Sequence, residues 1–100
     1  MAELKNPPLD LIIDDDIAKG VYSNLAVISH SASEFVLDFA ALLPGMAKPH
    51  VCSRVILTPD HAKRLLLSLQ DNVTRYENNI GRIDVGSHGK SAMLNKLGEA

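Results

Sequence analysis

The chain has 100 residues, ten of them basic and twelve acidic, which gives a net charge of −2. This length allows one domain, and the slight acidic excess disfavours nonspecific binding to nucleic acid phosphates. Cys52 is the single cysteine, which excludes an intrachain disulfide and is typical of a reducing compartment. Neither a signal-peptide pattern nor a run of about 18 apolar residues is visible, so we expect a cytoplasmic protein with no membrane partner.

Three segments, 20–29, 34–43 and 50–57, have the composition of β-strands. The second and third alternate their side chains with period two, as half-buried strands do. The segment 9–13, LDLII, could add a short fourth strand. Short polar or proline-containing connections separate the segments, so the sequence predicts an antiparallel meander of three to four strands.

The charges on the second and third strands predict how these strands pair. Pairing Asp38 with Arg54 places opposite charges across from each other on one sheet face. The same register places Val36 opposite Ile56 and aligns the apolar side chains on both faces. The candidate interface on this face consists of six residues: Val36, Asp38, Ala40, Cys52, Arg54 and Ile56, with Ala40 expected opposite Cys52.

The segment 58–81 predicts one long amphipathic helix. Thr58 is a good N-cap, Pro59 suits the first helical position, Asp60 faces the positive end of the helix dipole, and Gly81 should supply a left-handed C-cap. Apolar side chains recur at three- and four-residue steps and form one stripe along this helix: Ala62, Leu65, Leu66, Leu69, Val73, Tyr76 and Ile80. We therefore expect an α+β fold in which this C-terminal helix packs on one sheet face.

One helix can cover only one face of such a sheet. The face with the candidate interface would stay exposed in a monomer, and burying a few hundred Å² of apolar surface at about 25 cal/mol per Å² drives association. The sequence thus predicts a homo-oligomer, a dimer or higher, formed through sheet faces or strand edges. The alternative is that the N-terminal segment folds back over this face.

Composition divides the chain into one domain and two tails. Residues 1–8 are polar and interrupted by proline, and residues 83–100 are rich in Gly, Ser and Lys. We expect flexible tails at 1–8 and 83–100 and a single domain at 9–82.

Candidate chemistry is sparse. The acidic run at 14–16 lacks the spacing of a calcium loop, and His50 with Cys52 supplies at most two of the four ligands that zinc needs. Cys52 lies in an apolar row where a thiol is usually packing, and GSHGK at 86–90 is only superficially like a phosphate loop. We therefore expect no catalytic residue, no metal and no cofactor, hence a protein that is not an enzyme.

Basic residues on the helix offer an alternative function. Lys63, Arg64 and Arg75 form a candidate basic surface, but acidic residues lie between them along the helix. The first hypothesis is an oligomeric protein–protein interaction module, and the alternative is a transcription-associated or nucleic-acid-binding accessory protein. Binding that weakens steeply with salt would favour the alternative.

Four short runs resemble the domain-of-unknown-function family DUF3467, which occurs in bacteria and archaea. They are KGVYSN at 19–24, SEFVLDF at 33–39, SRVILTP at 53–59 and HAKRLL at 61–66, and the resemblance covers about 11–81. Lys19 departs from the family pattern, where an acidic residue is expected. The resemblance implies a small, single-domain cytoplasmic protein without established activity and brings no catalytic residues. Some members are encoded beside RNA polymerase subunits, which hints at a role linked to transcription.

Overall fold

The computed structural model describes residues 10–86, which contain five elements of regular structure. They are helix α1 at Asp15–Ala18, strand β1 at Leu25–His30, β2 at Phe35–Ala41, β3 at His50–Leu57 and helix α2 at Pro59–Asn79. The strands form one antiparallel sheet in the order β1-β2-β3. The α+β class and the meander followed by a long helix are therefore confirmed.

The segments expected at the two ends of the chain fall partly outside the described residues. The tail expected at 1–8 lies outside the described residues. So do the residues after 86, which include most of the second tail and most of the GSHGK run. Residues 10–13 have no regular structure, so they do not form the possible fourth strand. Ile12 is 93% exposed, and Leu11 and Ile13 are also exposed, so this segment does not cover a sheet face.

The predicted register between β2 and β3 is confirmed over most of its length. Asp38 lies opposite Arg54, and Val36 lies opposite Ile56. The expectation that Ala40 lies opposite Cys52 is wrong, because the register shifts after Phe39 and Ala40 pairs with Val51. Cys52 is thus the extra residue of a β-bulge in β3.

The first strand begins later than its β-forming sequence suggests. β1 starts at Leu25 rather than near residue 20. Before it, the side chain of Asn24 bonds to the backbone of Leu42, where a longer strand would use its own backbone. Its Nδ2 donates to the Leu42 carbonyl at 3.0 Å, and its Oδ1 accepts from the Leu42 amide at 3.0 Å. The Ser23 hydroxyl donates to the Ala40 carbonyl at 2.9 Å. These bonds fix the chain entering β1 against the end of β2.

The two ends of α2 are stabilised differently. Thr58 is the N-cap, because its Oγ1 accepts from the His61 amide at 3.4 Å, as expected. The expected left-handed cap at Gly81 is wrong, since Gly81 has no positive φ. Instead, the amides of Ile80 and Gly81 both donate to the Tyr76 carbonyl, at 2.8 and 3.3 Å, so the end closes without a left-handed residue.

The core of the described residues is confined to the central strand. Leu37, Ala40 and Ala41 are the residues buried there, and all three belong to β2. No residue of α2 is buried, and the few close backbone approaches of α2 to the sheet are mainly to β3. The helix therefore begins on one side of the sheet without sealing that face.

Candidate interaction surfaces

An ion pair occupies the middle of the sheet face that carries the candidate interface. Arg54 Nε lies 2.6 Å from Asp38 Oδ1, and Arg54 Nη2 lies 2.8 Å from Asp38 Oδ2. Because two parallel donors meet two acceptors, the guanidinium and the carboxylate hold each other in a fixed orientation. The Asp38 side chain is 16% exposed, whereas the Arg54 side chain is 63% exposed. Arg54 therefore presents a positive charge to solvent while screening the carboxylate.

The pairing shifts the pKa values of both groups in the direction that favours their charged forms. The hydrogen bond from Arg54, more than its charge, lowers the pKa of Asp38 below its ordinary value of 3.8. The same hydrogen bond raises the pKa of Arg54. Both side chains are therefore charged near neutral pH, and neither changes its protonation in that range.

The remaining residues of the candidate interface have different surroundings. Val36 is half-buried, Ala40 is 3% exposed and Ile56 is 56% exposed. Cys52 is exposed at the bulge, where its thiol lies 3.6 Å from both the Tyr22 and the His50 carbonyl oxygens. Of the six residues, the exposed ones that a partner could reach are therefore Cys52, Arg54 and Ile56.

A groove of about 490 Å³ separates the opposite sheet face from the beginning of α2. The sheet side is apolar, and the helix side is mainly polar. The lining residues are Leu37, Phe39, Val55 and Leu57 from the sheet and His61, Arg64, Leu65 and Ser68 from the helix. The helix starts on the sheet face opposite the candidate interface, as the alternation of the strands predicts. The sequence does not predict the groove between them.

The apolar stripe predicted on this helix, which we call the α2 stripe, is exposed to solvent from Leu65 to Ile80, whereas Ala62 is half-buried. Its larger side chains are between 38% and 71% exposed, from Val73 at the lower end to Ile80 at the upper end. Such an apolar row would normally lie in a core or an interface. The structure thus supplies a second apolar surface besides the candidate interface.

The structure does not gather the candidate basic residues into one surface. Arg75 pairs with Asp71 at 2.9 Å, and Arg64 pairs with Asp60 at 3.5 Å. The Thr58 hydroxyl donates to Asp60 Oδ1 at 3.1 Å and, more than Arg64, lowers the pKa of Asp60. Within residues 10–86 no ion pair involves Lys63, which lies about 100° around the helix from Arg64. Two of the three basic side chains are therefore partly neutralised.

Two sets of possible metal ligands, the acidic run at 14–16 and His50 with Cys52, lie within the described residues. No group of three or more His, Cys, Asp or Glu side chains suited to a metal occurs between residues 10 and 86. The acidic run becomes the N-cap and first turn of α1 and stays exposed. His50 and Cys52 flank Val51 at the beginning of β3, and the thiol lies near two carbonyl oxygens.

Comparison with known proteins identifies a family but no relative of known function. The model of a family described as "Protein of unknown function (DUF3467)" matches residues 2–85. No curated protein and no solved structure was found to match the chain. Among the described residues, no helix is both long enough and apolar enough to cross a membrane.

Proposed function

We propose that this chain, which belongs to the DUF3467 family, is a non-enzymatic module that self-associates and presents a surface to another protein. The observation that carries the proposal is the exposed α2 stripe, because soluble monomers seldom leave a continuous apolar helix face in water. The small core on β2 points the same way, since domains of this size are marginal without additional buried surface.

The free energy available from the α2 stripe is comparable to the cost of association. Fully burying one large apolar side chain contributes about 1.5–3 kcal/mol, so covering six that are about half exposed contributes roughly 6 kcal/mol per chain. Two copies together would gain roughly 12 kcal/mol, against about 4–15 kcal/mol for lost translational and rotational freedom and ordering. At the lower end of this cost, the net gain of about 8 kcal/mol corresponds to self-association in the micromolar range, and the numbers exclude a picomolar complex.

The candidate interface is the surface we assign to a protein partner. Ile56 is exposed beside the Asp38–Arg54 pair, so an apolar anchor lies next to a fixed guanidinium. Arginine is enriched among the residues that dominate protein–protein binding energy, and burying an aliphatic side chain beside it adds apolar contact area. A partner with a carboxylate near an apolar pocket would match this arrangement.

The proposal places the protein in the cytoplasm and assigns it no chemical reaction. The thiol of Cys52 is exposed, and a free thiol persists in a reducing compartment. The hydrogen-bond partners of the Cys52 thiol are two carbonyl oxygens, which do not stabilise a thiolate. These observations support a binding role.

The alternative, a transcription-associated or nucleic-acid-binding accessory protein, has weaker support. Arg64 and Arg75 both have acidic partners, which reduces their attraction for phosphate. Arg54 is likewise paired with Asp38, so Lys63, which makes no ion pair within residues 10–86, is the feature that favours it.

Light scattering after size-exclusion chromatography, combined with a tagged pull-down, tests the proposal. At micromolar concentration we expect a mass of at least twice the 10.8 kDa of one chain. We also expect the pull-down to retain a protein at both low and high salt, and Ile56→Glu to lose it while Leu67→Glu keeps it. A mass of one chain would refute self-association, and capture of nucleic acid that disappears with added salt would favour the alternative.

A further inference from the structure

The apolar residues of α2 follow a heptad pattern. Six of them are separated by steps of four and three, and we call these the α2 seam: Ala62, Leu66, Leu69, Val73, Tyr76 and Ile80. Steps that alternate in this way keep the side chains on one line along two supercoiled helices. Ile80 is the C-cap, and its amide still donates to the Tyr76 carbonyl at 2.8 Å as in a helical turn, so all six lie on one continuous surface.

The α2 seam is turned away from the sheet of its own chain. At about 100° per residue, the seam lies roughly a third of a turn from the helix side that lines the groove with His61, Arg64 and Ser68. A single residue, Thr58, separates the end of β3 from the beginning of α2, which limits how far the helix can rotate. The five larger side chains of the seam, from Leu66 to Ile80, are therefore left exposed for another occupant.

We propose that the occupant is α2 of a second copy of this chain. The two helices pack antiparallel, and the two-fold axis crosses them at the level of Asp71 along the helix. This inference rests on the proposed self-association and names its surface. In this arrangement Ala62 faces Ile80 of the second copy, Leu66 faces Tyr76, and Leu69 faces Val73. Each contact occurs twice, as two-fold symmetry requires. The smallest side chain meets a large one, so the layers have complementary volumes.

The side chains flanking the α2 seam select the antiparallel direction. One flank carries Lys63, Gln70 and Glu77 at steps of seven. In an antiparallel pair this flank meets the same flank of the second copy, so Lys63 faces Glu77 and Gln70 lies near its own equivalent. The attraction between Lys63 and Glu77 occurs twice in the dimer.

The other flank carries no charge, because Leu65, Asn72 and Asn79 occupy it. In a parallel pair, this uncharged flank would face Gln70 and Glu77 of the second copy, and no attractive pair would form. Antiparallel packing is therefore the direction in which every charge beside the α2 seam finds an opposite charge.

Lys63 and Glu77 cannot pair within one chain. They are fourteen residues apart on the same helix, which is about 21 Å at 1.5 Å per residue. Glu77 Oε2 accepts a hydrogen bond from the Ile83 amide at 2.9 Å, and the other carboxylate oxygen can still accept from Lys63 of a second copy.

The test is a charge exchange between two variants, Lys63→Glu and Glu77→Lys. Each variant alone should dimerise about tenfold more weakly, because both attractive pairs become repulsive. An equimolar mixture should form heterodimers, since glutamate at 63 of one copy then faces lysine at 77 of the other. Native mass spectrometry and sedimentation measure both effects. Loss of the bond to Ile83 in Glu77→Lys would not be restored by mixing.

Matched controls separate the direction of packing from general charge effects. Arg75→Glu changes the net charge as much as Lys63→Glu but lies off the seam and its flanks, so it should leave dimerisation unchanged. A mixture of Lys63→Glu and Glu77→Lys that associates no better than either variant alone would overturn the antiparallel arrangement.

A second pair of variants tests the α2 seam itself. Leu69→Glu should weaken the dimer at least about a hundredfold, whereas Leu67→Glu, at a similarly exposed leucine off the seam, should not. Circular dichroism should show the same helix content in both. If Leu69→Glu still dimerises while Ile56→Glu dissociates, this inference fails and self-association stands. A monomeric natural chain would refute both.

Discussion

Leu37→Ala measures whether the groove beneath α2 stays open in solution. Leu37 is 7% exposed at the centre of β2, and its side chain lines the groove. In an enclosed core, Leu→Ala costs about 2.7–5 kcal/mol because a cavity remains. Here the lost atoms would enlarge an existing groove, so mainly the transfer free energy is lost. We expect a cost of about 2 kcal/mol.

Urea unfolding at a fixed protein concentration gives this number directly. The midpoint should fall for Leu37→Ala, and the slope should not change. Leu67→Ala, at an exposed leucine of α2, is the control and should stay within about 0.5 kcal/mol of the natural chain. A cost near 4 kcal/mol would refute the reasoning, because it would show that another surface closes the groove. A cost equal to that of Leu67→Ala would show that β2 is not the core.

Two further predictions concern the ion pair and the helix cap. Asp38→Ala should lower the unfolding midpoint more than Asp71→Ala, because it leaves Arg54 without the carboxylate that accepts two of its hydrogen bonds, whereas Asp71 belongs to an exposed pair. Equal midpoints for the two variants would contradict this. The folded-state pKa of Asp38 is lowered, so its contribution is present above the unfolded value and is lost as the pH falls through the folded one. A series of melts from neutral to acid should therefore show a weaker pH dependence in Asp38→Ala. Thr58→Ala should cost about 0.5–1 kcal/mol and reduce the helix signal in circular dichroism, whereas Thr58→Ser should retain both, and equal losses in the two variants would exclude the hydroxyl as the cap.

The sequence predicted the sheet register well because charge and apolar pattern agree there. Only one alignment places Asp38 opposite Arg54 and keeps apolar residues together on both faces. The bulge could not be predicted, since Val51 and Cys52 are both small enough and apolar enough to face Ala40. The late start of β1 was also missed, because a side chain, that of Asn24, pairs with the backbone of Leu42.

The orientation of α2 shows where an apolar pattern stops being informative. The pattern identifies which side chains share a helix face, but not which face turns toward the sheet. That rotation depends on the chain path at Thr58, between the last residue of β3 and the first residue of α2. As a result, His61 and Arg64 line the groove, and most of the expected core residues of the helix are left in solvent.

The bulge at Cys52 also affects the tendency of this sheet to aggregate through its outer strands. Within residues 10–86, β1 and β3 are both edge strands, and an unpaired edge is a template onto which further strands can add. The extra residue interrupts the regular spacing of amide and carbonyl groups along β3, so a new strand cannot pair with its full length. No such interruption occurs along β1, where Leu25–His30 pairs regularly with β2. Fibrous aggregation of this protein should therefore begin at β1, and a charged substitution there would protect it best.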